Sequence, residues 1–248
     1  MSKSLFFDAH THLQMISDLP TEIQKANNVG VRDFICNSTG PNDWKKVISI
    51  SKEHSNIHIA LGVHPAYILN LPEHWLENLE TLLWTHSKAH IGEIGLDKLK
   101  PEMDLQEEVF VKQLRLAHKL NRPAHIHCVR AWDRLLHIFK TQYGQMPPKI
   151  LLHSHHGNAD LIEEMAKKYN AYFSYSSIFL PENRLKVRAC IKATPENRIM
   201  IESDAPDLTS SPADIPHLVS QMAKIVGKDT SQMQQILYRN ASEFVHGR

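Results

Sequence analysis

The chain has 248 residues, with 42% hydrophobic and 22% charged side chains, which is the balance of a folded globular protein and excludes disordered, collagen-like and coiled-coil chains. Lys+Arg is 28 and Asp+Glu is 27, so the formal charge of +1 sets up no global field for nucleic acid or anionic lipid. Histidine is the outlier at 17 residues, and imidazole is the commonest metal ligand.

Short apolar runs alternate with amphipathic stretches along the chain. Strands are expected at Leu5–Ala9, Asp33–Asn37, His58–Gly62, His90–Ile94, Ala124–His127, Lys149–His153, Ala171–Tyr175 and Arg198–Glu202. Helical patterns between them include Trp44–Glu53, Trp75–Thr85, Leu105–Leu120, Ala131–Thr141, Ala159–Tyr169 and Arg184–Ala193, and Ile215–Val226 and Ser231–Phe244 follow the last strand. Open doubly wound sheets share this alternation. Eight strands at a length close to the roughly 250 residues of a (β/α)8 barrel favour closure into a TIM barrel. No internal repeat or linker divides the chain, so residues 1–248 are read as one domain.

Cys36, Cys128 and Cys190 form no C-x-x-C pair, and reduced thiols are expected. The N-terminus lacks the apolar core of a signal peptide, and polar residues interrupt every apolar run before membrane-helix length. A cytoplasmic protein with no membrane attachment is the expectation. No obligate protein partner is readable.

The first strand runs into Asp8-Ala-His10-Thr-His12. Residues two apart in a strand share a face, so His10 and His12 point together and make half of a metal site. An isolated H-x-H is equally two ordinary half-buried histidines, but comparable groups end other strands. Strand four reads His90-Ile-Gly-Glu93-Ile-Gly95-Leu-Asp97, with a carboxylate inside an apolar strand, a costly placement unless it is paired or metal-bound. Glycines 92 and 95 allow close approach of backbone or ligand. Strand five carries His125 and His127, strand six His153 with His155 and His156, and strand eight Glu202 and Asp204. In a barrel these C-terminal strand ends converge on one rim, where active sites are built.

In this order, Asp8-x-His10-x-His12, Gly62-x-His64-Pro65, Gly92-Glu93-Ile-Gly-Leu-Asp97, Pro123 to His127, His153 to Gly157 and Glu202-x-Asp204-x-Pro206 resemble the TatD-like metal-dependent deoxyribonucleases, a branch of the amidohydrolase-type barrels. The resemblance runs from about residue 5 to residue 245. It implies two divalent cations, one held by His10, His12 and Asp204, the other by His127 and His153, with Glu93 bridging both. Imidazole and carboxylate ligands without thiolate admit Mg2+, Mn2+ or Zn2+ and do not choose among them. Cations about 3.5–4 Å apart suit phosphodiester hydrolysis.

The resemblance further implies catalytic roles for Glu93, for Asp204 as acceptor of the attacking water's proton, and for His64 as a contact to substrate phosphate or donor to the leaving group. Arg130 is a candidate phosphate clamp. Asp8 is expected to hydrogen-bond a ligand imidazole, and Glu202 to support Asp204. Asp97, Lys98 and Lys100 are placed on the loop after strand four. His125, His155 and His156 exceed the ligand count and are expected to line the barrel or touch substrate.

Three departures from the family pattern stand out. Val129 occupies the place of a frequent arginine, and Arg130 follows it. The strand-six motif is His153-Ser-His155-His156-Gly157 rather than H-C-F-x-G. No R-x-N-x-P segment follows Pro206. The leading expectation is a deoxyribonuclease acting on single strands or ends of DNA, or on another phosphodiester. An ester or amide hydrolase on the same centre, such as an aminoacyl-tRNA deacylase-like or lactonase-like enzyme, is the alternative, and a catalytically silent interaction module is a third.

Overall fold

Residues 5–247 are described by a computed structural model. The strands are β1 (Phe6–Thr11), β2 (Val31–Asn37), β3 (Ile57–Leu61), β4 (His90–Asp97), β5 (Ala124–Val129), β6 (Ile150–Leu152), β7 (Ala171–Tyr175) and β8 (Ile199–Ile201). The helices are α1 (Leu19–Asn28), α2 (Trp44–Glu53), α3 (Trp75–Thr85), α4 (Met103–Lys119), α5 (Trp132–Thr141), α6 (Ile162–Lys168), α7 (Leu185–Ala193), α8 (Ile215–Val226) and α9 (Thr230–His246). The strands form one parallel sheet in chain order, and alternation with helices makes this a (β/α)8 TIM barrel, as the sequence predicts.

Two compact halves make up the chain, residues 5–36 with 154–247 and residues 37–153. In the first, β8 lies beside β1, and Thr11 pairs with Cys36 of β2. Its core is built on Phe34, Phe173, Tyr175 and Phe244. In the second, β4 pairs with both β3 and β5 and is buried along its whole length, around a core that includes Leu61, Leu79, Phe110 and Phe139. Each such buried side chain contributes about 1.5–3 kcal/mol relative to exposure.

Helix α4 shows how packing positions chemistry. Val109, Phe110, Gln113, Leu114 and Ala117 recur at helical spacing and form its buried face. Gln113 is one of two buried glutamines on α4, and its amide clamps the Val63 backbone, accepting from N at 2.7 Å and donating to O at 3.1 Å. That clamp fixes the start of the loop that carries His64.

Structure and sequence differ at element ends. β1 extends through Thr11, which brings His10 into the strand, and β4 extends to Asp97. α1 was outside the helices expected from the sequence. Its signals are local: the Asp18 side chain accepts from Thr21 N, Pro20 sits in the first turn, and Ile23 and Ala26 are its buried residues. Among the described residues, no helix is long and apolar enough to cross a membrane.

Candidate active site

In the first half, the loop after β8 is tied to β1 through the backbone. Asp204 N donates to His10 O at 3.0 Å, His12 N donates to Ala205 O at 2.8 Å, and the Thr11 hydroxyl donates to the same carbonyl at 3.1 Å. Asp204 is held at φ 50°, a left-handed conformation that Asp tolerates better than most residues. These ties aim three donors at one point. His10 Nε2 and His12 Nε2 are 3.4 Å apart, and Asp204 Oδ1 lies 3.8 and 3.6 Å from them. All three residues are buried. Two imidazole nitrogens and a carboxylate oxygen meeting at these separations make a donor set for a divalent cation.

Asp8 supports this cluster differently from the sequence expectation. It takes its hydrogen bonds from Ser203 N at 2.9 Å, Ser203 Oγ at 2.5 Å and the His10 backbone N at 3.4 Å, not from an imidazole. Burial pushes its carboxyl up to about 8, against the lowering effect of the Ser203 bonds. Its task is to hold the Ser203–Asp204 turn against β1. Glu202 accepts from Ser154 N at 2.7 Å and from the Ser174 hydroxyl. His155 packs edge-on against Phe173 with ring centroids 5.0 Å apart, and burial drops it to about 3, so it is a neutral lining group. His156 Nδ1 lies 2.9 Å from Ser154 O.

In the second half, Glu93 is only 2% exposed. His127 Nδ1 and His153 Nε2 each lie 2.8 Å from its Oε1, and His64 Nε2 lies 3.5 Å away. The two glycines beside Glu93 have steric reasons. A Cβ on Gly92 would come within 2.7 Å of the His125 Cβ. Gly95 sits at φ +148°, and a Cβ there would lie 2.0 Å from the His127 carbonyl oxygen. β4 can therefore lie against the strand that carries His127 only while residue 95 has no side chain.

His64 Nδ1 accepts a hydrogen bond from Ala66 N at 3.0 Å. A neutral imidazole that accepts at Nδ1 carries its proton on Nε2, the atom facing Glu93. His64, Glu93 and His127 have ligand atoms close enough to surround a cation. The Ala66 bond nevertheless favours His64 as a proton donor over a ligand, since metal binding at Nε2 would place a proton on Nδ1 against the Ala66 N–H.

Asp97 closes β4 rather than lying on the loop after it, and it is buried. Its Oδ2 stands 3.7 Å from His127 Nε2, on the far side of that ring from Glu93. Burial would raise its carboxyl, but His127 and the Leu99 N–H, which donates to Oδ1 at 2.8 Å, hold it below the ordinary range. His127 works against burial in the opposite sense: Asp97 and Glu93 raise it. An imidazole between a site carboxylate and a second carboxylate is the arrangement that fixes a ligand's tautomer. Sequence parity with Glu93 and Gly95 was the available signal. Asp97→Asn is expected to weaken divalent-cation affinity about 10–100-fold, read by titration calorimetry, while leaving the melting temperature nearly unchanged.

Other residues fall outside these clusters. His125 pairs with His90 (Nε2 to Nδ1, 3.0 Å) instead of joining the Glu93 cluster. Arg130 is exposed, at φ 54°. Lys98 and Lys100 are exposed. Cys36, Cys128 and Cys190 are buried free thiols, and burial pushes Cys128 up to about 12.

The family model described as TatD related DNase matches residues 7–246. The chain belongs to the TatD family. Among its TatD-like relatives, a Bacillus subtilis protein named "Uncharacterized metal-dependent hydrolase YabD" is 27% identical over 96% of this chain and 97% of its own. The "3'-5' ssDNA/RNA exonuclease TatD" of Escherichia coli K12 is 26% identical over 89% of this chain and 90% of its own. The crystal structure of YJJV, a TatD homologue from Escherichia coli K12, superposes with a TM-score of 0.88 at 22% identity, covering 96% of this chain and 97% of the other. The chain is thus a TatD-family metal-dependent hydrolase with the barrel of that family.

Proposed function

We propose that this TatD-family chain, acting as one domain, is a phosphodiesterase that cleaves DNA at single strands or strand ends. In this reading His10, His12 and Asp204 would hold one divalent cation, and His127 and His153, with Glu93, would hold a second. The observation that carries it is the Glu93 cluster: a buried carboxylate with imidazole nitrogens of His127 and His153 both at 2.8 Å. A buried charge of this kind is stable only when matched by cationic partners. The donor set contains nitrogen and oxygen and no thiol, which fits Mg2+, Mn2+ or Zn2+. When bound, such cations supply Lewis acidity and a nucleophilic water.

The chain's own residues divide the remaining work. Asp204 accepts the proton of the attacking water, and its carboxylate is already fixed against His10 and His12. His64 gives its Nε2 proton to the leaving oxygen, in the tautomer that Ala66 enforces. Asp97 keeps the His127 ring oriented. Arg130, an exposed guanidinium, is the proposed partner of the substrate phosphate, able to make a bidentate pair. Single strands are supported by the name of the Escherichia coli relative, an exonuclease of ssDNA and RNA.

A second reading, ester or amide hydrolysis on the same centre, draws on the loop after β8. It closes on its own backbone, with Thr209 Oγ1 donating to Ser203 O and Ser211 O, and offers no arginine to a polyanion. Chelation separates the two. EDTA treatment is expected to abolish hydrolysis of bis-p-nitrophenyl phosphate, with Mn2+ or Zn2+ restoring it. Restored turnover of p-nitrophenyl acetate alone would replace the first reading with the second.

A further inference from the structure

We infer that Tyr67 is a stacking subsite for an unpaired base of a single-stranded nucleic acid, at a nucleotide flanking the phosphate under attack. The inference rests on the phosphodiesterase reading above and names a specificity residue for it.

Tyr67 follows β3, on the loop that carries His64, at the strand-end rim where barrel chemistry is placed. It is 50% exposed. The other exposed aromatics among the described residues, Trp84 and Tyr143, lie on α3 and after α5, at or beyond the helix ends remote from a strand's C-terminal loop. Leu69, on the same loop, is 49% exposed and adds an apolar neighbour to Tyr67 in the sequence.

The root of the side chain is fixed while its ring is open. Residues 65–67 form a short 3-10 turn with buried Pro65 at its start. Tyr67 N donates to His64 O at 2.9 Å, and the His64 ring closes the same turn through Ala66 N. The Tyr67 Cβ lies 3.6 Å from where a side chain on Gly40 would begin. With its backbone held, the side chain has only its two χ angles to restrict when a base settles on the ring.

Its position leads to the chemistry. The Tyr67 ring stands edge-on to His64, with centroids 6.1 Å apart and planes at 65°. His64 stands edge-on to His127 at 4.4 Å and 70°. Both imidazoles face Glu93 Oε1. An exposed π-face one ring removed from the proton donor suits a base attached to the reacting phosphate. Stacking tolerates any base, matching a site with few basic residues for sequence readout.

The test compares full-length wild type, Tyr67→Phe and Tyr67→Ala by fluorescence anisotropy in EDTA, with a labelled oligo-dT strand and an abasic strand of equal length. Tyr67→Ala is expected to weaken oligo-dT binding about tenfold, Tyr67→Phe to stay within about twofold of wild type, and the abasic strand to bind all three proteins equally. Wild-type affinity for oligo-dT in Tyr67→Ala, an equal loss on the abasic strand, or failure of wild type to prefer oligo-dT would each overturn the subsite. Hydrolysis of bis-p-nitrophenyl phosphate by metal-loaded wild type is measured alongside. Its absence removes the phosphodiesterase reading itself, while its presence together with any of those binding results removes the stacking subsite alone.

Discussion

Glu93→Gln is expected to lower phosphodiester turnover by about a thousandfold or more, whereas His155→Ala should change the turnover of folded protein less than about tenfold. The amide keeps the size of the carboxyl and loses its charge. Glu93 is the carboxylate at which His127 and His153 converge at 2.8 Å, so the substitution weakens the grip on a cation proposed to bind there. Lewis-acid stabilisation is worth several kcal/mol, and each 1.36 kcal/mol is about tenfold in rate. His155 is also a buried histidine near a strand end, but it faces Phe173 and Tyr175 and stays neutral. Its removal leaves a cavity and lowers the melting temperature by a core-packing effect. Turnover of bis-p-nitrophenyl phosphate with a parallel metal titration checks the pair, and similar losses from both variants would overturn the ligand assignment.

Asp204→Asn is expected to cost a comparable factor, about a thousandfold in kcat, with the fold intact. Asn adopts the left-handed conformation at φ 50° as readily as Asp, so the turn after β8 survives. The backbone bonds from Asp204 N to His10 O and from His12 N to Ala205 O are also unaffected. What disappears is the anionic oxygen beside His10 and His12, and with it the base proposed to take the water's proton. Circular dichroism should show an unchanged melt, and calorimetry a weakened cation affinity. Retention of kcat within tenfold would mean that Asp204 neither binds cation nor accepts the proton.

Much of this arrangement is legible in the sequence because parallel strands announce themselves as short apolar runs, and parity within a strand tells which side chains share a face. His10 and His12 follow directly from that rule. Parity also points to Asp97, but the apolar run ends at Ile94, which puts the residue on a loop until the strand is seen to continue. β4 runs on through Gly95, paired with His127, to Asp97, and the φ of +148° at Gly95 is something no apolar count reveals. Parity alone cannot say how deep along a strand a side chain sits. His125 shares its face with His127 yet meets His90 instead. The sequence predicts an imidazole partner for Asp8, but the bonds it makes are to backbone and to Ser203, a partner about two hundred positions away that the neighbouring of β1 and β8 brings near.

Gly95 carries a consequence of its own. With the His127 carbonyl oxygen 2.0 Å from the point where any side chain would start, even alanine would have to push the two strands apart and displace an imidazole. A saturation screen scored only by activity would rank this position beside the histidines proposed as metal ligands, although it has no reactive group. Intolerance to substitution here reports space, not chemistry.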